Sequence, residues 1–219
     1  MRMAFEVLDE HEQGELVRKW LRDNAMSIIV GIAIGLLLIF GWQQWKSREL
    51  RTQGEAAIQY KAFTDAVDAK RDEDATKIAE ALRKDHAKSP YAVFTALRQA
   101  EVAVVKGDLK AAATDLAWAS EASGDPALKA LVALRRARVA LADGNAEAAL
   151  GFADGVPKTD FTATASELRG DALAKLGRHD DARSAYEETL KSLDPQAPGR
   201  DVVQMKLGDL PVAAEKQNS

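Results

Sequence analysis

The sequence predicts an all-α protein, with a single N-terminal transmembrane helix followed by an α-solenoid of helical hairpins. Three observations predict it. Aromatic residues make up only 6% of the 219 residues. The core must therefore come from Ala, Leu and Val, and Ala and Leu are strong helix formers. One stretch, residues 24–45, carries no charge over 22 residues and is long enough to cross a bilayer. Three glycines, Gly107, Gly144 and Gly177, recur at spacings of 37 and 33 residues, the period of stacked helical pairs.

Composition narrows the function classes. Hydrophobic residues are 47% and charged residues 29%, a globular balance. Thirty basic residues against 34 acidic ones give a net charge of −4. A general nucleic-acid binder carries a basic excess, so nucleic acid is not an expected partner. The chain has no cysteine, which excludes disulfides, thiol catalysis and cysteine-ligated metals.

The first element is a short segment, residues 1–23, with acidic residues Glu6, Asp9, Glu10, Glu12, Glu15 and Asp23. It is too long and too acidic for the leader of a cleaved signal peptide. Lys46-Ser47-Arg48 also stands where a small-residue cleavage site belongs. The second element is the span, residues 24–45, lying in the lipid bilayer. Trp20 precedes it and Trp42 and Trp45 close it. Tryptophan favours the headgroup layer, so these three are expected interfacial anchors. Within the span, Ser27, Gly31 and Gly35 recur every four residues. Such a stripe lets a second helix approach closely. Arg18, Lys19 and Arg22 on one side balance Lys46, Arg48 and Arg51 on the other, so the positive-inside rule does not orient the span.

The third element is a helical-repeat domain, residues 46–195. Residues 48–70 have a helical pattern and continue the membrane helix outward. Arg71-Asp72-Glu73-Asp74 reads as a solvated polar break. Residues 75–84 form a second helix, and Ser89-Pro90 opens a third, with proline where its missing N–H is harmless. Five residues after each repeat glycine stands Ala112, Ala149 or Ala182. Seven before stands Ala100, Ala137 or Gly170. Small residues at both places let the two helices of a hairpin touch. These offsets mark tetratricopeptide-like repeats, about three and a half of them. The second is the least regular, with a short helix at residues 146–154.

The first helix of each pair lines the concave side. Phe94, Glu101, Arg138, Glu167, Asp171 and Lys175 fall there and are the candidate partner groove. Leu97, Leu134 and Leu141 share that stripe and read chiefly as core. The last element, residues 196–219, is a looser tail. Its residues 202–207 are read as a short docking strand or turn of helix, and 213–219 as disordered.

No constellation for catalysis is visible. His11, His86 and His179 are far apart, lack ligand spacing and are read as surface residues. There is no phosphate-binding glycine loop or nucleophile elbow, and no cofactor or metal is expected. A non-enzymatic binding scaffold is the reading that remains. A membrane-anchored adaptor or regulator of a soluble signalling protein on the cytoplasmic side is the alternative.

Several local patterns, in order, complete the reading. They are Glu12-Gln13, Lys19-Trp20-Leu21, Asn24 and Gly41-Trp42-Gln43-Gln44-Trp45 around the span. In the body they are Lys88-Ser89-Pro90-Tyr91-Ala92, Lys106-Gly107-Asp108-Leu109 and Gln204-Met205-Lys206-Leu207-Gly208-Asp209-Leu210. Together they resemble the YfgM family, ancillary subunits of the SecYEG translocon. Leu21 departs from it, where members often carry a second tryptophan. The resemblance implies a single-pass protein of the Gram-negative inner membrane, with its N-terminus cytoplasmic and its repeat domain periplasmic. It implies association with the SecYEG translocon and with the periplasmic chaperone PpiD, near unfolded secretory or outer-membrane clients.

Overall fold

A computed structural model describes residues 10–211, with side chains from Gly14 onward. The expectations for Glu6, Asp9 and the side chains of Glu10, His11 and Glu12 lie outside the described residues. So does the expected disorder of residues 213–219. Among the described residues there are nine helices and no strand. The chain divides into two compact units, the first ending at Gly54 and the second beginning at Glu55.

The first unit is the N-terminal part of helix α1 (Glu10–Asp68). It contains an 18-residue window with mean hydropathy 2.4, long and apolar enough to cross a membrane, and none of that window is buried. Ile29, Ile32, Leu36, Leu37, Ile39 and Phe40 all face outward. A soluble helix hides such residues. Their exposure fits a surface made for lipid.

The second unit begins with the C-terminal part of α1. Lys70, at φ 56°, ends that helix. The amide of Arg71 then donates back to the carbonyl of Ala66. Helix α2 (Asp72–Asp85) follows at once. The expected break at residues 71–74 is thus one turn shorter. Asp72, Glu73 and Asp74 form the first turn of α2, where carboxylates offset the positive end of the helix dipole. Phe63 from α1 is 1% exposed and packs with Ala75, Ala79 and Leu82 of α2.

Three hairpins come next: α3 (Pro90–Val105) with α4 (Leu109–Ala122), α5 (Pro126–Ala142) with α6 (Ala146–Asp154), and α7 (Thr162–Lys175) with α8 (His179–Ser192). The repeat glycines make their turns. Gly107, Gly144 and Gly177 have φ 80°, 81° and 75°. That left-handed backbone is open to glycine at little cost. After each, the next amide reaches back to close the helix end: Asp108 to Ala103, Asn145 to Ala140, Arg178 to Leu173. The following helix is then capped. Asp108 and Asn145 accept from the amides of Ala111 and Ala148. Such caps contribute about 1 kcal/mol each. Ser89 and Asp125 cap α3 and α5, each followed by proline in the first turn.

The small-residue offsets do what their spacing predicts. Ala112, Ala149, Ala182 and Ala137 are fully buried, and Ala100 is nearly so. A Cβ built on Gly170 meets the Tyr186 ring at 2.5 Å. Glycine is what lets α8 lie that close to α7. Leu134 and Leu141 belong to the core, and Leu97 is half-buried beside it.

The tail is less loose than expected, and of the two readings for residues 202–207 the helical one holds. Residues Arg200–Gly208 form helix α9. Val203 and Leu210 are buried against Leu173, Ala182 and Tyr186. The segment that sequence reading set outside the repeat domain closes its last hairpin.

Candidate interaction site

In the first unit, Trp20, Trp42 and Trp45 are exposed, and the Trp42 and Trp45 rings lie 5.8 Å apart. Trp20 and Trp42 are 22 residues apart, roughly 33 Å along a helix at 1.5 Å per residue. That matches the hydrocarbon thickness of a bilayer. Ser27 and Gly31 are exposed and Gly35 is half-exposed. A Cβ on either glycine would meet nothing within 4 Å. Among the described residues of this unit, the stripe has no packing partner.

In the second unit the six expected groove residues fall into four places. Phe94 stands in an aromatic cluster with Tyr60 and Tyr91, ring centroids 6.1 and 6.3 Å away. It is 37% exposed. Glu101 and Arg138 line one cleft between α3 and α5. Lys175 donates to the carbonyl of Leu141 at 2.9 Å. It ties the end of α5 to α7 while the residue stays exposed.

Glu167 and Asp171 correct the expectation of an open groove. They lie one turn apart on α7, and Lys206 of α9 donates to both, at 2.7 and 2.8 Å. Tyr186 donates to the other oxygen of Asp171 at 2.8 Å. Two like charges at i and i+4 repel, and a cation between them reverses the sign. Burial lowers the proton affinity of Lys206, but the hydrogen bonds and charges of Asp171 and Glu167 outweigh it and raise its pKa. Burial, and then the hydrogen bond to Asp171, also raise the pKa of the Tyr186 phenol. These carboxylates are satisfied within the chain.

Sequence reading missed other polar contacts that the fold assembles. Arg83 pairs with Asp115, 32 residues away, and lies over the Trp118 ring. Arg169 bridges Asp154 and Glu188. His86, expected at the surface, is buried beside Gln59, with ring nitrogen to amide nitrogen at 3.4 Å. Only the packing of α1 on α2 brings those two together. Arg135, one turn before Arg138 on α5, also lines the α3–α5 cleft. The i, i+3 spacing of these two arginines was its available signal.

No group of three His, Asp or Glu side chains among the described residues is placed to hold a metal ion. What the second unit offers is faces and clefts between helices.

The model of a tetratricopeptide repeat-like domain matches residues 18–212. An ancillary SecYEG translocon subunit of Escherichia coli (strain K12) is 30% identical over 93% of this chain and 98% of its own. This chain belongs to that tetratricopeptide repeat-like family. A subunit of the same description from Haemophilus influenzae is 31% identical over 87% of this chain and 92% of its own. One from Aggregatibacter actinomycetemcomitans is 26% identical over 95% and 100%. Membership covers both units, since the match begins before the apolar span and ends after α9.

Proposed function

We propose that the chain is a non-catalytic, membrane-anchored scaffold associated with the SecYEG translocon. One observation carries this reading. Relatives described as ancillary SecYEG translocon subunits align with nearly the whole chain, apolar helix and repeats alike. The chain is a single-pass protein of the inner membrane, N-terminus cytoplasmic and repeat body periplasmic. The body holds a PpiD-like chaperone, or emerging secretory and outer-membrane clients, near the translocon exit. Tethering to one membrane confines both partners, so weak contacts suffice through effective concentration.

The stripe of Ser27, Gly31 and Gly35, with open space at both glycines, supports packing of the span against another membrane helix. Gly31→Ile with Gly35→Ile is expected to cut co-purification of the translocon at least severalfold, at equal expression. Unchanged recovery removes the stripe from the mechanism.

Orientation is tested with the cysteine-free chain. Ser192 is exposed at the end of α8. Ser192→Cys in intact cells with a permeabilised outer membrane is expected to react with a membrane-impermeant thiol reagent. Reaction only after lysis puts the repeats in the cytoplasm, and the adaptor reading then replaces the periplasmic scaffold.

A further inference from the structure

The repeat body has a cleft between α3 and α5, of about 190 Å3, whose walls are mostly aliphatic. Leu97, Val104 and Val139 supply the apolar surface, and Arg135 and Arg138 also line it. Its charge is unbalanced. Glu101 is the one acid lining it, and Glu101 is already paired with Arg98 at 3.0 Å. Neither Arg135 nor Arg138 has an ion-pair or hydrogen-bond partner among the described residues. The Nε of Arg135 is buried without an acceptor. A buried guanidinium N–H without a partner is costly. The neighbouring hollow beside α1, α2 and α4 differs. There Lys106 is paired with Asp72, and Arg98 with Asp68 and Glu101.

We propose that this cleft binds an extended segment of a partner protein in which carboxylates flank an aliphatic side chain. The volume admits about one such side chain. The two guanidiniums give the carboxylates charge-assisted hydrogen bonds. This deepens the scaffold reading, on which it rests, by naming the partner chemistry and moving the contact away from Glu167 and Asp171. Charge complementarity selects this occupant over a neutral apolar one, because apolar contact alone leaves Arg135 unpaired.

The test uses the full chain in discs of phosphatidylcholine and three fluorescein-labelled peptides: GSGLDLEGS, its neutral form GSGLNLQGS, and its alanine form GSGADAEGS. Anisotropy is expected to rank the acidic leucine peptide at least about tenfold tighter than either other. Arg135→Gln with Arg138→Gln is expected to erase the preference. Ala142→Glu adds a carboxylate at an exposed position lining the same cleft, keeps both arginines, and is expected to do the same. Equal binding of the three peptides, no binding, or wild-type affinity in the Ala142→Glu chain overturns the proposal. So does a dimer in sedimentation that Ala142→Glu dissociates, since a second copy then owns the cleft. Translocon recovery is scored separately. Recovery without peptide binding sinks the cleft and spares the scaffold reading. Peptide binding without recovery does the reverse.

Discussion

Glycines that look alike in the sequence do three different jobs. Gly144 holds φ 81° in the turn between α5 and α6. Gly144→Ala places a Cβ in the left-handed region and is expected to cost about 1–2 kcal/mol. Gly170 has ordinary helical backbone but no room, because Tyr186 is in the way and its hydroxyl is held by Asp171. Overpacking costs about 1–3 kcal/mol, against a helix-propensity gain of about 1 kcal/mol. Gly170→Ala is therefore expected to lower stability. Gly151 lies on the exposed face of α6 with nothing within 4 Å of a new Cβ. Gly151→Ala is expected to gain up to about 1 kcal/mol. Denaturant midpoints of the three variants check the two losses and the gain. A stabilised Gly170→Ala chain contradicts the close packing of α7 and α8.

At the scale of elements, α9 is held by one buried apolar contact and one charged one. Val203 is 1% exposed, and Lys206 joins Glu167 and Asp171. Lys206→Gln leaves the two carboxylates facing each other and is expected to cost about 1–3 kcal/mol. Amide exchange in α9 is then expected to speed up more than in α5. The same contact sets an alkaline limit. Lys206 and Tyr186 both have folded-state pKa values raised above 10.5 and 10.0. As pH rises, the unfolded chain therefore releases these protons first, and stability falls. The contribution is complete below about pH 10 and is lost as the folded groups titrate. Urea midpoints from pH 8 to 11 are expected to fall above pH 10, and to fall less in a Tyr186→Phe chain. A flat profile contradicts the arrangement.

At the scale of the whole molecule, the boundary between units is not the end of the apolar span. Residues 55–68 of α1 belong to the second unit, and Ala56, Phe63 and Ala66 lie in its core. A chain beginning at residue 46 is expected to melt cooperatively. One beginning at residue 72 strips the cover from Ala75, Ala79 and Leu82 and is expected to lose the cooperativity of its first helices. Phe63→Ala in the full chain is expected to cost about 3–5 kcal/mol. Circular dichroism melts of the three chains decide the point.

The span and the repeat turns were legible in the sequence because each is a local decision. A run without charge cannot be hidden among the alanine-rich helices. A glycine followed by Asp108 or Asn145 ends one helix and caps the next whatever surrounds it. The positions of Ala112, Ala149 and Ala182 were equally plain, since the period fixes which face is buried. The candidate groove was legible only in part. Register placed Arg138 and Glu101 on neighbouring helices, but no pattern says that Lys206 comes back 35 and 39 residues to cover Asp171 and Glu167. That pairing depends on the path of the chain through α8 and on the docking of Val203. Likewise, that Arg135 and Arg138 are unpaired among the described residues while Arg98 and Arg169 are paired is a matter of which acids the stack brings within 4 Å. Local backbone chemistry and hydrophobic period determined what the elements are. Only the packing of one hairpin on the next decided which charges remain for a partner, because ion pairing falls off over a few ångströms and sequence distance does not measure those.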